Sequence, residues 1–173
     1  TLGIVGLGRL GGWMARYGKA FGMKVIFYDP YIKKSPSGIE KVSFQKLLQQ
    51  SDVVSIHVHL SKDAEGMFGK NEFARMKKGA VLINTSRGKI VDEEALFAAL
   101  AKKEIAGYAT DVLADELSFG KDFRNHPLVE YAKKTQNLII VPHIGGMTEE
   151  SRTATDIFMA EKLRKFFNNR VRK

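Results

Sequence analysis

Six short apolar runs recur along the chain, at Leu2–Val5, Val25–Tyr28, Val53–Ile56, Ala80–Ile83, Ile105–Thr110 and Leu138–Val141, and a further short one is expected near Val42. Each is of strand length and continuous rather than alternating, the pattern of parallel strands covered on both faces. Between them lie longer segments with helical spacing: Leu10–Phe21, Phe44–Gln50, Lys70–Met76, Glu93–Lys102 and Glu149–Phe167. In the first of these Leu10, Met14, Tyr17 and Phe21 recur at i, i+4, i+7 and i+11, and Gly22 stands where a C-cap belongs. Strand and helix in regular alternation predict an α/β fold, a doubly wound parallel sheet of six or seven strands. No internal repeat, low-complexity stretch or interdomain linker interrupts the pattern, so residues 1–173 are expected to form one domain. The longest stretch without a predicted element is Ala114–Asn137, and long loops in compact domains are often functional.

Composition narrows the class. The chain has 173 residues, 44% of them apolar, and no cysteine, which excludes disulfides and thiolate chemistry and fits a reducing compartment. No apolar run approaches membrane-spanning length. The balance of 28 Lys and Arg against 19 Asp and Glu gives +9. A nucleic-acid binder would cluster that charge on one face. Here it is scattered as pairs (Lys33–Lys34, Lys77–Lys78, Lys102–Lys103, Lys133–Lys134), and the one dense run, Lys162–Lys173, overlaps Met159, Leu163, Phe166 and Phe167 at helical spacing. That run is expected to be a packed helix with a solvated basic face. No nucleic-acid or membrane partner is expected, and the excess charge would attract an anionic coenzyme and substrate.

Gly6-Leu7-Gly8-Arg9-Leu10-Gly11 is a GxGxxG motif. Glycine triplets arise by chance, but this one directly follows a strand, opens a helix and precedes a second strand ending beside Asp29. That context marks a Rossmann-type dinucleotide site. Gly6 permits the tight turn, Gly8 lets backbone approach a pyrophosphate, and Gly11 lets helix and strand pack closely. Unpaired N–H groups at the helix start suit phosphate, and Arg9 adds a charge there. Asp29, eighteen residues past Gly11, would accept hydrogen bonds from ribose hydroxyls and repel a 2′-phosphate, favouring NAD over NADP.

Ligands of open parallel sheets bind beyond the carboxyl ends of the strands. Following the runs in this chain come Asn84-Thr85-Ser86-Arg87-Gly88, then Asp111 with Glu116 five residues on, then Pro142-His143-Ile144-Gly145-Gly146. An arginine, two acids and a histidine are thus expected at the edge that holds the coenzyme.

The stretches GIVGLGRLGG, SDVVSIHVHL, GAVLINTSRGKIVDEEAL, IAGYATDVLADE and LIIVPHIGGMTEES resemble the D-isomer-specific 2-hydroxyacid dehydrogenases, in that family's order and spacing and over nearly the whole chain. The resemblance implies an NAD-dependent enzyme moving hydride between coenzyme and a 2-hydroxy acid/2-oxo acid pair. Arg87 would be its substrate-binding arginine and His143 with Glu116 its acid/base pair. Asp111 would contact the nicotinamide carboxamide, Thr85 and Ser86 would line the coenzyme cleft, and Leu10, Gly145 and Gly146 would adjoin the coenzyme. The chemistry is consistent with those roles. A guanidinium fork suits a carboxylate, and a carboxylate beside an imidazole favours its protonated form and fixes its tautomer.

Two departures stand out. Where the family reads Glu-Pro, this chain has Glu116-Leu117 followed by Ser118–Arg124, so the loop bearing Glu116 is expected to run differently. His59 replaces the usual proline. His57 and His59 are expected on one face of a strand; a zinc pair there lacks a third ligand of suitable spacing, leaving coenzyme-wall residues as the plainer reading. His126 is read as a residue of a polar loop. The resemblance also implies a homodimer through the coenzyme domain. The chain opens at Thr1 on the first coenzyme strand, so the family's separate substrate domain is expected to be absent from it, and the fragment to bind NADH while turning over little. A cytoplasmic location is expected. Two alternatives stay open: an NAD-responsive corepressor-like protein of the same family, and an unrelated regulatory NAD-binding module without chemistry.

Overall fold

Among the described residues, seven strands and six α-helices follow one another in the order β1 (Leu2–Val5), α1 (Arg9–Ala20), β2 (Val25–Tyr28), β3 (Glu40–Lys41), α2 (Phe44–Gln50), β4 (Val53–Ile56), α3 (Lys70–Arg75), β5 (Val81–Asn84), α4 (Glu93–Ala101), β6 (Gly107–Thr110), α5 (Pro127–Ala132), β7 (Leu138–Ile140) and α6 (Glu149–Val171). The structure, a computed structural model, describes residues 1–36, 38–116, 118 and 123–171. Leu117 and residues 119–122, which carry much of the departure from the family pattern, lie outside the described residues, as do Arg172 and Lys173 of the basic tail. The chain divides into two compact units, Thr1–Val141 and Pro142–Lys173.

In the first unit the strands form one sheet in the order β3-β2-β1-β4-β5-β6-β7, every pairing parallel. The expected doubly wound Rossmann-type sheet is therefore present, with seven strands. Its double covering explains the continuous apolar runs. Leu2, Ile4, Val25 and Phe27 pack with Ala15 of α1, whereas Val5, Ile26, Val54 and Ile56 join the larger core with Leu47 and Leu48 of α2 and Phe73 of α3. Alternate residues of one strand thus meet apolar surface on opposite faces, and all four residues of β1 are buried. The chain leaves β1 towards β2 and β3 on one side and returns to β4 on the other. The gap beyond the carboxyl ends of β1 and β4 is the topological switch point.

The structure corrects five sequence readings. Of the apolar stripe of α1 only Met14 packs against the core; Leu10 is 68% exposed, Tyr17 54% and Phe21 85%. Gly11, Ala15 and Gly18, also at i, i+4 and i+7, are the buried positions. A helix lying this close to a strand leaves room only for small side chains, so the contact stripe is the one with little hydrophobic signal. The stretch Ala114–Asn137 is not wholly irregular, since α5 lies within it, with Pro127 in its first turn and its cap formed by His126. His126 is accordingly a helix-capping residue with a largely buried side chain rather than part of a polar loop. Strand β4 ends at Ile56, so His57 and His59 follow it and strand alternation does not set their directions. In the second unit α6 forms and runs on to Val171, but Met159, Leu163, Phe166 and Phe167 are each about half exposed. A lone helix has no second apolar surface in its own unit to bury them.

The reversal of faces on α1 gives a direct test by urea denaturation of the chain. Ala15→Leu, which forces methyl groups against the sheet, is expected to cost about 1–3 kcal/mol, whereas Tyr17→Gln on the exposed stripe is expected to change stability by roughly 0.5 kcal/mol or less. The opposite ranking would show that the large residues are the packing face.

Candidate functional site

Parallel register assembles the site. The strand ends lie side by side as Tyr28, Val5, Ile56, Asn84, Thr110 and Ile140, each paired with its neighbour in the sheet. The residues that follow the first five are Asp29, Gly6, His57, Thr85 and Asp111. All five were nominated from sequence, and the register delivers them to one edge. From Gly6 to Asp111 is three strand spacings, roughly 14 Å, a distance suited to an extended ligand laid across the strand ends.

At the switch point the chain turns sharply from β1 into α1. Gly6 has φ +90, and a Cβ there would lie 2.9 Å from the His57 backbone. Gly11 is nearer still, since a Cβ on it would come 2.1 Å from the Gly6 carbonyl oxygen. By contrast the Cβ direction of Gly8 opens onto empty space. No side chain caps the first turn of α1 and no acidic residue stands in it, so its N–H groups and the positive end of the helix dipole are left for an anion. Arg9 and Leu10 at the helix start are exposed.

Asp29 braces this turn. One carboxylate oxygen accepts the Leu7 N–H at 2.9 Å, and the other accepts from Tyr31 at 2.9 Å and Ile32 at 3.3 Å. The side chain is therefore a structural strut between the end of β2 and the glycine turn, a role not read from the sequence. Each carboxylate oxygen has two acceptor sites, so the oxygen that takes the Leu7 N–H keeps one for a ribose hydroxyl.

Two further segments meet at the same edge. After β5, buried Asn84 organises the turn: its Oδ1 accepts the Ser86 N–H at 3.0 Å and its Nδ2 donates to the Arg87 carbonyl at 3.0 Å. Ser86 Oγ donates to the Ile56 carbonyl at 2.9 Å, tying the turn to the end of β4. Thr85 and Arg87 are exposed. Asn84 was passed over in the sequence reading, although an Asn closing a buried strand is a recognisable turn former. After β6, Asp111 is buried and donates its backbone N–H to the Asn84 carbonyl at 3.1 Å. Glu116, half-buried, accepts the Leu113 N–H at 3.1 Å. The two segments touch backbone to backbone, because a Cβ on Gly88 would lie 2.0 Å from the Leu113 carbonyl carbon and 2.2 Å from the Ala114 nitrogen.

The histidines divide. His57 is half-buried, its backbone N–H donates to the Val5 carbonyl at 2.7 Å, and its Nε2 lies 2.9 Å from Ser55 Oγ. Its Nδ1 is buried and has no hydrogen-bond partner. Burial depresses its pKa below the ordinary imidazole value, keeping the ring neutral. His59 is exposed. His143 belongs to the second unit, where its backbone is left-handed with φ +53 and its side chain, like Gly145 and Gly146, is exposed.

A sequence pattern described as the D-isomer specific 2-hydroxyacid dehydrogenase, NAD binding domain, matches residues 1–145. This chain belongs to that family. It is 40% identical over 166 residues to a glyoxylate reductase of Korarchaeum cryptofilum, covering 94% of this chain and 48% of that protein. It is 36% identical over 169 residues to a D-3-phosphoglycerate dehydrogenase of Bacillus subtilis, covering 96% and 30%. Among solved structures, D-2-hydroxyisocaproate dehydrogenase superposes with a TM-score of 0.90 at 30% identity over 97% of this chain and 53% of that one. The Aquifex aeolicus D-lactate dehydrogenase, solved with NAD and lactic acid, gives 0.84 at 34% identity over 97% and 53%. The chain thus spans about half the length of these relatives, or less. It is the NAD-binding domain of a D-2-hydroxyacid dehydrogenase, and nothing in these likenesses favours the regulatory alternatives. The glycine turn fits that coenzyme, with its open Gly8 face, uncapped helix start and buried acid at the end of β2.

The buried His57 makes stability depend on pH with a defined sign. Its folded pKa is depressed, so its contribution is fully present above about 6.5 and is lost as pH falls through the lower folded value. Urea denaturation from pH 7 to pH 5 is expected to show a steeper loss for the natural chain than for His57→Asn, and parallel curves would contradict this.

Proposed function

We propose that the protein containing this domain interconverts a D-2-hydroxy acid and its 2-oxo acid with NAD(H). The observation that carries the reading is the packing of the Arg87 turn against the Glu116 loop along the same row of strand ends as the glycine turn. Reduction of a 2-oxo acid requires a hydride at the carbonyl carbon, a proton at its oxygen and a cation on its carboxylate. Bound NADH supplies the first. Arg87, exposed beyond β5, holds the carboxylate through its guanidinium fork. His143 delivers the proton, with Glu116 as its acid partner. In oxidation the pair takes the proton back.

Around the coenzyme, Gly6, Gly8, Arg9, Leu10 and Gly11 hold the pyrophosphate and Asp29 the adenosine ribose. Thr85, Ser86, His57 and His59 line the cleft, Asp111 orients the nicotinamide carboxamide, and Gly145 and Gly146 adjoin it. Relatives named for glyoxylate, phosphoglycerate and lactate support a small carboxylate-bearing substrate. We place the enzyme in the cytoplasm, as a homodimer through the coenzyme domain and without a nucleic-acid or membrane partner. Among the described residues no helix is long and apolar enough to cross a membrane.

The test is a panel of glyoxylate, hydroxypyruvate and phosphohydroxypyruvate with NADH and the intact protein. His143→Ala is expected to lower kcat by about a hundredfold or more, the scale of general acid catalysis, with NADH affinity retained. Arg87→Gln is expected chiefly to raise KM for the oxo acid. An unchanged kcat in His143→Ala would remove the proton-donor assignment.

A further inference from the structure

The first residue of α4 makes contacts that helix formation does not require. Capping of α4 is carried by Asp92, whose Oδ1 accepts the N–H groups of Glu94 and Ala95, each at 3.0 Å. The next side chain, Glu93, is free of that duty and turns to the loop after β6, where its Oε1 accepts the Ala114 N–H at 2.8 Å. Its Oε2 lies 3.1 Å from Nε2 of His126. Both oxygens are thus engaged, one by the loop and one by the imidazole, at 20% exposure for Glu93 and 10% for His126. The His126 ring is itself oriented, because Nδ1 accepts the Leu128 N–H at 3.3 Å as the cap of α5. With Nδ1 accepting, Nε2 is the nitrogen that carries hydrogen toward the carboxylate. Burial pushes the Glu93 carboxyl up, partly offset by these two contacts, so the group stands where it is costly to keep charged.

Ala114 lies two residues before Glu116. The loop between them is held in an unfavourable shape, with Asp115 left-handed at φ +54. Three contacts from the segment that begins at Arg87 hold it: the Gly88 backbone against Leu113 and Ala114, Lys89 to Asp115 at 2.7 Å, and Glu93 to Ala114. We propose that Glu93, steadied by His126, is a positioning residue that fixes the Glu116 loop relative to the Arg87 turn and so sets the placement of the acid partner in catalysis. The inference rests on the reading of Glu116 as that partner.

A double-mutant cycle in the intact protein, with NADH and its best 2-oxo acid, tests it. E93A is expected to lower kcat by about tenfold, the scale of a small misplacement at a reacting centre, with oxo-acid KM and NADH Kd within about twofold. E93Q, which keeps an acceptor for Ala114, is expected to recover at least about a third of the natural kcat, since one of two contacts is retained. In an E116Q background E93A is expected to cost less than about twofold more, because the two substitutions act on one step. If E93A fails to fold, H126N carries the cycle, since Asn retains the α5 cap while releasing Glu93 Oε2; its expected kcat loss is smaller and again disappears with E116Q. An unchanged kcat in E93A, or an equal loss with and without E116Q, overturns the proposal while leaving Glu116's role intact. A natural kcat in E116Q alone overturns both.

Discussion

The site depends on the register of the parallel sheet. Pairing Tyr28, Val5, Ile56, Asn84 and Thr110 in one row is what places Asp29, the glycine turn, His57, Thr85 and Asp111 along a single edge. A slip of one residue in any strand would send its inward side chains to the opposite face and carry its terminal residue off the row. The register is secured because both faces are covered, so neither face tolerates the exchange. At two points the chain then presses backbone on backbone where only glycine fits, Gly11 against Gly6 and Gly88 against Leu113 and Ala114. The first sets the coenzyme turn and the second joins the segments bearing Arg87 and Glu116. The glycine turn and the segments bearing Arg87 and Glu116 are thus tied to the same sheet edge by backbone packing.

Much of the fold was legible because burial on two faces writes itself as continuous apolar runs, and six strands were found to within one or two residues. The short edge strand expected near Val42 is β3, Glu40 and Lys41, whose own two exposed residues carry almost no hydrophobic signal and are held by hydrogen bonds to β2. Helix α5 was missed although α3, also six residues long, was found, and Pro127 at its start was a usable cue. The most instructive failure is α1. Hydrophobicity selected Leu10, Met14, Tyr17 and Phe21, of which only Met14 packs against the core, whereas close approach to the sheet selected Gly11, Ala15 and Gly18. Patterns weigh side chains by size and polarity, and a helix seated directly on a strand inverts that weighting.

At the site the sequence named the glycines and ionisable groups at the strand ends and overlooked several residues that hold them. Gly6, Gly8, Gly11 and Asp29 were assigned from the motif, and the turn has the geometry expected of it. Asn84, which braces the Arg87 turn from both ends, and the Glu93–His126 pair behind the Glu116 loop were not named. Supporting residues of this kind are recognised by their partners, and partners far apart in sequence leave no spacing to read. Membership of the D-2-hydroxyacid dehydrogenase family, through its NAD-binding domain, supplies the coenzyme. The structure adds how one sheet edge keeps an arginine turn and a carboxylate loop in fixed contact.

The central claim is that NAD lies across this row of strand ends with its pyrophosphate on the start of α1. Titrating NADH into the isotopically labelled chain and following backbone amides by NMR addresses it directly. Saturable shifts are predicted at Gly8–Gly12, Asp29, His57, Thr85 and Asp111. Absence of saturable shifts, or shifts confined to the opposite edge around Val25, Val53, Val81 and Gly107, would contradict it.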